Sequence, residues 1–239
     1  MPPAEQERVR LLSDAIVGGP PTAMIARCRE LVEDRKVIRF LDEVSAPPFI
    51  AAVESFRIAA AVSATETALF TISSWEAPPM LPPPFDVTAE IDVHRKLAEH
   101  YASANPRDAL RCLPVNPLCQ IAIALGIQGP NAHFVGDGDA LMHALVLAET
   151  DLAVGAARAA IVVAFEAEGP DGPPQAMAVV VAASTNGVPP PTVRVVDPAA
   201  AAALSSVQAL RMVADAARRV GAARTEVRHR ERLIFSLEP

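Results

Sequence analysis

The middle of the chain reads LPVNPLCQIAIALGIQGPNAHFVGDGDALMHALVLAETDLAVGAARAAIVVAFEAE over residues 113–168. Residues 117–126 form an apolar run that ends at a glycine, which predicts a helix with a glycine stop. Gly129-Pro130 predicts a turn, and the next five residues predict a strand, Asn131–Val135. A helix, a turn and a strand thus follow one another at the start of this stretch.

An acidic turn follows the predicted strand. It contains Gly136, Asp137, Gly138 and Asp139. We expect Asp139 to be the N-cap of the next helix, where its charge suits the helix dipole. Residues 140–153 are apolar almost all round that helix, which favours its burial.

Two continuous apolar runs, residues 159–165 and 176–183, predict strands that are buried on both faces. Buried helices between such strands indicate a sheet that is covered on both sides. The predicted fold class is therefore α/β, with a layered α-β-α architecture.

Upstream, the helical spacing of apolar residues predicts helices over residues 5–17 and about 22–44, and hence a helical segment over residues 1–45. Residues 56–64 predict a short buried strand, and residues 68–73 either continue it or begin another element. Paired prolines such as Pro47-Pro48 are interpreted as connections, because proline is disfavoured in helix interiors and central strands.

A proline-rich loop over residues 78–85 precedes a polar helix predicted over residues 88–103. Downstream of the middle stretch, the pattern predicts a strand, an alanine-rich helix and a final strand, at residues 193–196, 204–220 and 233–237. The mixed charges of residues 224–232 are interpreted as a solvated terminal segment. We expect one domain over residues 1–239, with a core at 50–187 and a tail at 188–239.

The composition describes an acidic chain of 239 residues, with 21 Lys and Arg against 28 Asp and Glu, and a net charge of −7. Phosphate binding needs clustered basic residues, so nucleic acid is not the expected main partner. Prolines and asparagines interrupt the longest uncharged stretch, and the N-terminus has no apolar run. We therefore expect no membrane span, no targeting signal and a cytoplasmic protein.

The three cysteines are Cys28, Cys112 and Cys119. They form neither a CxxC pair nor an even disulfide framework, so we expect free and mostly buried thiols. No pattern predicts a cofactor.

The middle stretch resembles the N-terminal half of a β-ketoacyl synthase of the thiolase fold. The resemblance covers roughly residues 105–183. Its matching positions are Leu113-Pro114, Asn116, Ile121-Ala122-Ile123, Gly126, Gly129-Pro130-Asn131, Gly155 and Glu166. By this alignment Gly138 stands where the family has its nucleophilic cysteine. Without a side chain there, no acyl thioester can form, and the resemblance implies a pseudo-enzyme with no catalytic residue.

A full ketosynthase has a second half that carries paired histidines, whereas His229 is the one histidine after residue 183. The resemblance is therefore closest to the half-length chain-length factors that accompany active ketosynthases in aryl polyene clusters of bacteria. It implies a heterodimer with a full-length β-ketoacyl synthase, formed through Asn131, Ala132, His133, Phe134 and Val135, which completes an acyl tunnel.

An acyl carrier protein would then bind only through the pair. Carrier proteins are themselves acidic, so an acidic subunit is expected to leave carrier docking mainly to its partner.

Three other interpretations stay open. Asp137 and Asp139 could bind a metal, although no third ligand follows in sequence, and a capped turn is the preferred interpretation. A small hydrolase could use Asp137 with His133, but no serine elbow is present, and structural roles are expected for His133 and His143. Finally, the chain could be a self-associating scaffold or an acyl-ligand-binding protein.

Glu166 is interpreted as a strand-end residue that satisfies backbone groups.

Overall fold

The computed structural model describes residues 9–59, 62–74, 92–103, 110, 113–167, 174–183, 192–195, 204–219, 225–229 and 232–238. Its strands are β1 (Val9–Gly18), β2 (Thr67–Ser73), β3 (Asn131–Val135), β4 (Ala159–Glu166), β5 (Gln175–Ala183), β6 (Thr192–Val195), β7 (Thr225–His229) and β8 (Arg232–Glu238). Its helices are α1 (Pro21–Leu31), α2 (Arg35–Ile38), α3 (Ala46–Ile58), α4 (Val93–Ser103), α5 (Asn116–Leu125), α6 (Gly138–Ala153) and α7 (Ser206–Arg219), with a 3₁₀ turn at Ala64–Glu66.

The main sheet has five strands in the order β1-β5-β4-β2-β3. Strand β2 is parallel to β3 and to β4, whereas β5 is antiparallel to β1 and to β4. Strands β6, β8 and β7 form a second, antiparallel sheet. Among the described strands, β1 and β3 are therefore the outermost of the main sheet.

Helices cover both faces of the main sheet. Every residue of β4 is buried. Its alternate residues Ala160, Val162 and Ala164 pack in the cluster that contains α6 and α7 residues. Its other face packs with α3 and α5 residues. The predicted α/β fold with a layered α-β-α architecture is confirmed.

The link between α5 and β3 explains two of the glycines. Gly126 follows α5 with φ +69°, the left-handed conformation that glycine adopts readily. Gly129 lies against the start of β2, where an added Cβ would lie 2.3 Å from the carbonyl oxygen of Thr67. The amide of Leu69 donates to the Pro130 carbonyl at 2.9 Å. A close backbone approach thus requires glycine at residue 129.

The helix predicted over residues 5–17 is wrong where the structure describes it, because residues 9–18 form β1. A register shift between Leu11 and Ser13 interrupts the pairing with β5. Leu12 packs in the α3 cluster, and the Ser13 hydroxyl also faces α3, donating to the Ser55 carbonyl. Two neighbouring residues on one face break the period-two pattern of a strand, which explains the misleading spacing.

The strand predicted over residues 56–64 is also wrong, because Phe56 and the next two residues form the last turn of α3. Pro47 and Pro48 lie in the first turn of this helix, where a missing N–H breaks no helical hydrogen bond. The same residues were expected in a connection. Residues 68–73 therefore belong to a separate element, β2.

Other differences are smaller. The helix predicted over residues 22–44 is interrupted after α1, and residues 224–232, expected as a solvated segment, include β7. The strands and the helix predicted at residues 193–196, 204–220 and 233–237 correspond to β6, α7 and β8. The predicted loop at residues 78–85 lies outside the described residues, as does the start of the helix predicted at 88–103.

Two burial predictions need correction. Helix α6 is not buried all round, since Val146 and Leu147 are exposed. Cys28 is buried, and burial raises the pKa of its thiol to about 12, but Cys119 is exposed. Cys112 lies outside the described residues. None of the described helices combines the length and the apolar character that a bilayer span requires.

Candidate functional site

The candidate site is the turn between β3 and α6, which begins at Gly136. The Gly136 amide donates to the Ser73 carbonyl at 2.9 Å and so extends the pairing of β3 with β2. Its φ is +145°, and an added Cβ would lie 2.9 Å from the Cβ of Ala140. Backbone conformation and packing therefore both require glycine at the exit of β3.

The N-cap of α6 is Asp137, not Asp139 as predicted. The Asp137 side chain makes no capping hydrogen bond, while its carbonyl accepts from the Leu141 amide at 3.1 Å. Asp139 lies in the first turn, and its Oδ1 accepts from the Ala140 amide at 2.8 Å. The negative charge of Asp139 still lies at the positive end of the helix dipole.

Gly138 is buried at the first position of α6. Its amide donates to the carbonyl oxygen of Leu204 at 3.0 Å. Leu204 lies two residues before the first residue of α7 and is itself buried in the core cluster. The backbone before α7 therefore occupies the hydrogen-bonding position at the N-terminus of α6, where a bound anion could otherwise accept the same bond.

Glu166 contacts the start of α7 from the end of β4. Its predicted role, a strand-end residue that satisfies a backbone group, is confirmed. Its side chain is buried at the last position of β4. One carboxylate oxygen accepts from the Val207 amide at 3.2 Å, and the other accepts from the Gln175 side chain at 2.9 Å. Because Val207 lies in the first turn of α7, the carboxylate satisfies one of the unpaired amides there.

The turn is an acidic site. Partial burial raises the pKa of Asp137, and the negative charges of Asp139 and Glu166 raise it further. Among the residues that the structure describes, no group of three His, Cys, Asp or Glu side chains is placed to hold a metal ion. Three carboxylates, of Asp137, Asp139 and Glu166, thus lie near the N-terminal ends of α6 and α7 but are not arranged as metal ligands.

His133 lies opposite Thr71 in the parallel pairing of β3 with β2. Its Nδ1 is 2.8 Å from the Thr71 hydroxyl, and its Nε2 is 3.5 Å from the Ser73 hydroxyl. Burial lowers the pKa of His133 to about 4. Thr71 and Ser73 are fully buried, so this serine and histidine do not form a solvent-facing nucleophile and base. His143, by contrast, is exposed on α6.

Strand β3 pairs with β2 on one side, and its opposite side lies at the edge of the described sheet. Asn131 and Val135 are exposed, and the three residues between them are half-buried. Helices α5 and α6 both contact β3, and each carries an exposed apolar residue, Ile123 on α5 and Val146 on α6. Among the described residues no strand pairs with this edge of β3, and an unpaired strand edge is typical of a surface that pairs with another chain.

Sequence reasoning located the turn and the strand but missed their partners. Nothing in the local pattern indicated that the Leu204 carbonyl bonds to Gly138, because residues far apart in sequence make this contact. Thr71 and Ser73 were equally hidden as partners of His133. The sequence offers only a weak signal for these two partners, because hydroxyl residues alternate with apolar residues over 67–73. The structure shows that every residue of this strand is buried.

No protein-family model matches the chain, and no curated protein sequence matches it. Solved structures do match. One is "Ketosynthase (ApeO) in Complex with its Chain Length Factor (ApeC) from Xenorhabdus doucetiae", with a TM-score of 0.55 and 11% identity over 97% of this chain and 99% of that chain.

Another similar structure is "AntDE:AntF (apo): type II PKS acyl-carrier protein in complex with its ketosynthase bound to the hexaketide". Its TM-score is 0.52 at 14% identity, over 74% of this chain and 63% of that chain. The present chain thus spans less than two thirds of that chain's length. The fold resemblance inferred from residues 113–168 is confirmed: the chain has the ketosynthase-like thiolase fold.

Proposed function

We propose that the chain is a non-catalytic, ketosynthase-like subunit of the chain-length-factor type. It pairs with an active β-ketoacyl synthase and shapes the acyl tunnel in polyketide or fatty-acid-like polyene biosynthesis. The observation that carries this proposal is the hydrogen bond from Gly138 to the Leu204 carbonyl. The bond occupies a backbone donor at the position that the resemblance matches to the nucleophile, and the glycine there supplies no thiol.

A condensing enzyme needs a thiolate and backbone donors that stabilise the oxyanion of the tetrahedral intermediate. Gly138, at the position matched to the nucleophile, supplies no thiol. Its amide, at the start of α6, already donates to a carbonyl of the same chain. The turn therefore lacks the nucleophile, and a donor at the matched position is occupied.

The partner would supply the cysteine and both histidines, and an acyl carrier protein would bind to the pair. Support comes from the similar structures, whose descriptions name a ketosynthase with its chain length factor and a ketosynthase with an acyl carrier protein. The near-complete mutual coverage with one chain of the first complex supports a subunit of about this length in such a pair.

Pairing would use the free edge of β3. The Pro130 carbonyl and the Gly136 amide both bond to β2, and alternate residues of a strand direct their backbone groups to opposite sides. The backbone groups of Asn131, His133 and Val135 therefore face the open edge. They are the groups that an added strand of the partner would bind.

A proline substitution tests this interface. Val135→Pro removes an N–H from the open edge and none from the pairing with β2, so β3 should stay in the sheet. We expect the variant to fold but not to co-purify with a co-expressed ketosynthase. Val135→Thr, which keeps the N–H, should co-purify as the wild type does. Equal recovery of the ketosynthase with both variants would contradict pairing through this edge.

Self-association is the second candidate, because the same open edge could pair with a second copy of the chain. The mass of the purified protein distinguishes the two. A stable homodimer that Val135→Pro dissociates and that a ketosynthase leaves unchanged would favour the scaffold or acyl-ligand-binding role over the heterodimer.

A further inference from the structure

A groove lies between α1 and α2, on a part of the chain that the proposed interface does not use. It has a volume of about 610 Å³, and its lining residues are Ile25, Arg29, Arg35, Ile38, Arg39, Leu41 and Asp42. A shallower depression continues it along α1 to Thr22 and shares two of its residues, Ile25 and Arg29. From Thr22 to Arg29 the surface follows about two turns of helix, or roughly 10 Å.

The groove has an apolar floor and a basic rim. Ile38 and Leu41 are buried and Ile25 is half-buried, whereas the three arginines are exposed. Asp42 carries the one carboxylate among the lining residues. Its Oδ1 accepts from the amides of Val44 and Ser45 and from the Ser45 hydroxyl, at 3.1, 2.8 and 2.6 Å. The carboxylate is thus engaged in the turn before α3, and guanidinium groups dominate the rim.

Side-chain contacts to α3 and a cap on α2 lie around the groove. The Arg57 guanidinium on α3 donates to the Leu31 carbonyl at the end of α1, and Arg27 pairs with Glu54 at 2.6 Å. The Asp34 side chain caps α2 by accepting from the Lys36 amide at 2.8 Å. These contacts tie α1 to α3 and cap α2.

We infer that this groove binds an acidic amphipathic helix of the acyl carrier protein. The inference rests on the proposed function, which puts a carrier protein in the same assembly. The half-buried Ile25, with Ile38 and Leu41 beneath the groove surface, fits the apolar face of a helix, and arginines fit its carboxylates. A positive rim on a chain of net charge −7 would also steer an acidic partner to this site.

The position of the groove suits this role. Helix α1 follows β1, which lies at the opposite edge of the main sheet from β3. A carrier protein in the groove can therefore bind while β3 pairs with the ketosynthase. From the net charge alone, we expect carrier docking mainly on the partner subunit. With the groove, this chain would also contribute to carrier docking.

The test is a titration of the full chain with a fluorescently labelled type II polyketide acyl carrier protein, followed by anisotropy. Arg29→Glu/Arg35→Glu should weaken binding by about tenfold or more, and high salt should weaken the wild type similarly. The matched control is Arg95→Glu/Arg211→Glu, which changes the net charge equally at exposed positions on α4 and α7. We expect less than about a twofold effect from the control.

Equal weakening by both double variants would overturn the inference, as would tight binding to anionic phospholipid vesicles without binding to the carrier protein. If the glutamate variant does not fold, Arg29→Gln/Arg35→Gln gives the same comparison with a milder change. Co-purification with the ketosynthase separates the two proposals. A wild type that pairs with the ketosynthase, while the arginine variants bind carrier normally, contradicts only the groove. A wild type that never pairs contradicts the proposed function.

Discussion

The amide of Gly138 donates to the carbonyl oxygen of Leu204 at 3.0 Å, and this bond joins the turn before α6 to the backbone before α7. Glu166 reinforces the junction from β4, because its carboxylate accepts from the Val207 amide in the first turn of α7. One backbone amide at the start of each of these two helices is therefore bonded to a distant group of the chain itself. The Gly138 amide is therefore not available to a bound ligand in this structure.

A cysteine at residue 138 should not restore acyl transfer. We expect no covalent acyl adduct when Gly138→Cys is incubated with an acyl-loaded carrier protein, because the amide that would stabilise the oxyanion is already bonded to Leu204. Intact-protein mass spectrometry measures the adduct. The exposed Cys119 is replaced by serine in this variant and in its control, which keeps Gly138. An adduct on Gly138→Cys alone would show that the turn still supports acyl transfer.

Gly136 should tolerate alanine far less well than Gly126. Both have positive φ, but an added Cβ at residue 136 meets Ala140, whereas residue 126 has nothing within 4 Å. We expect Gly136→Ala to lower the free energy of unfolding by about 3 kcal/mol and Gly126→Ala by about 1 kcal/mol. Urea denaturation of both variants measures the difference. Similar losses would contradict the close contact at the exit of β3.

The half-buried His133 should make the protein less stable in mild acid. Its pKa is about 4 in the folded chain against an ordinary value of 6.5, so the unfolded state binds more protons between these two pH values. Stability therefore falls as the pH decreases through 6.5 towards 4. After allowance for partial exposure, the contribution is about 2 kcal/mol.

Urea unfolding at neutral pH and at mildly acidic pH measures this effect. His133→Gln should lose much of the decrease in stability, and the exposed His143→Gln serves as the control that keeps it. If His133→Gln and the wild type lose stability equally, His133 does not titrate from a buried neutral state.

The α/β fold class, β3 to β5 and α5 were predictable from sequence, because their evidence is local. Continuous apolar runs signal strands such as β4 that are buried on both faces, and a glycine with positive φ ends α5. The acidic turn and Gly138 were equally visible, since a missing side chain at a motif position needs no structure to recognise it.

Tertiary structure decided the rest. Helical spacing misled at β1, because a register shift turns Leu12 and Ser13 to the same side and the strand is stabilised by pairing with β5. Prolines misled at α3, where they occupy the first turn. The bond from Gly138 to Leu204 and the neutral state of His133 depend on groups that only folding brings together. Local pattern determined which residues occupy the turn, whereas long-range contacts determined which groups those residues bond to.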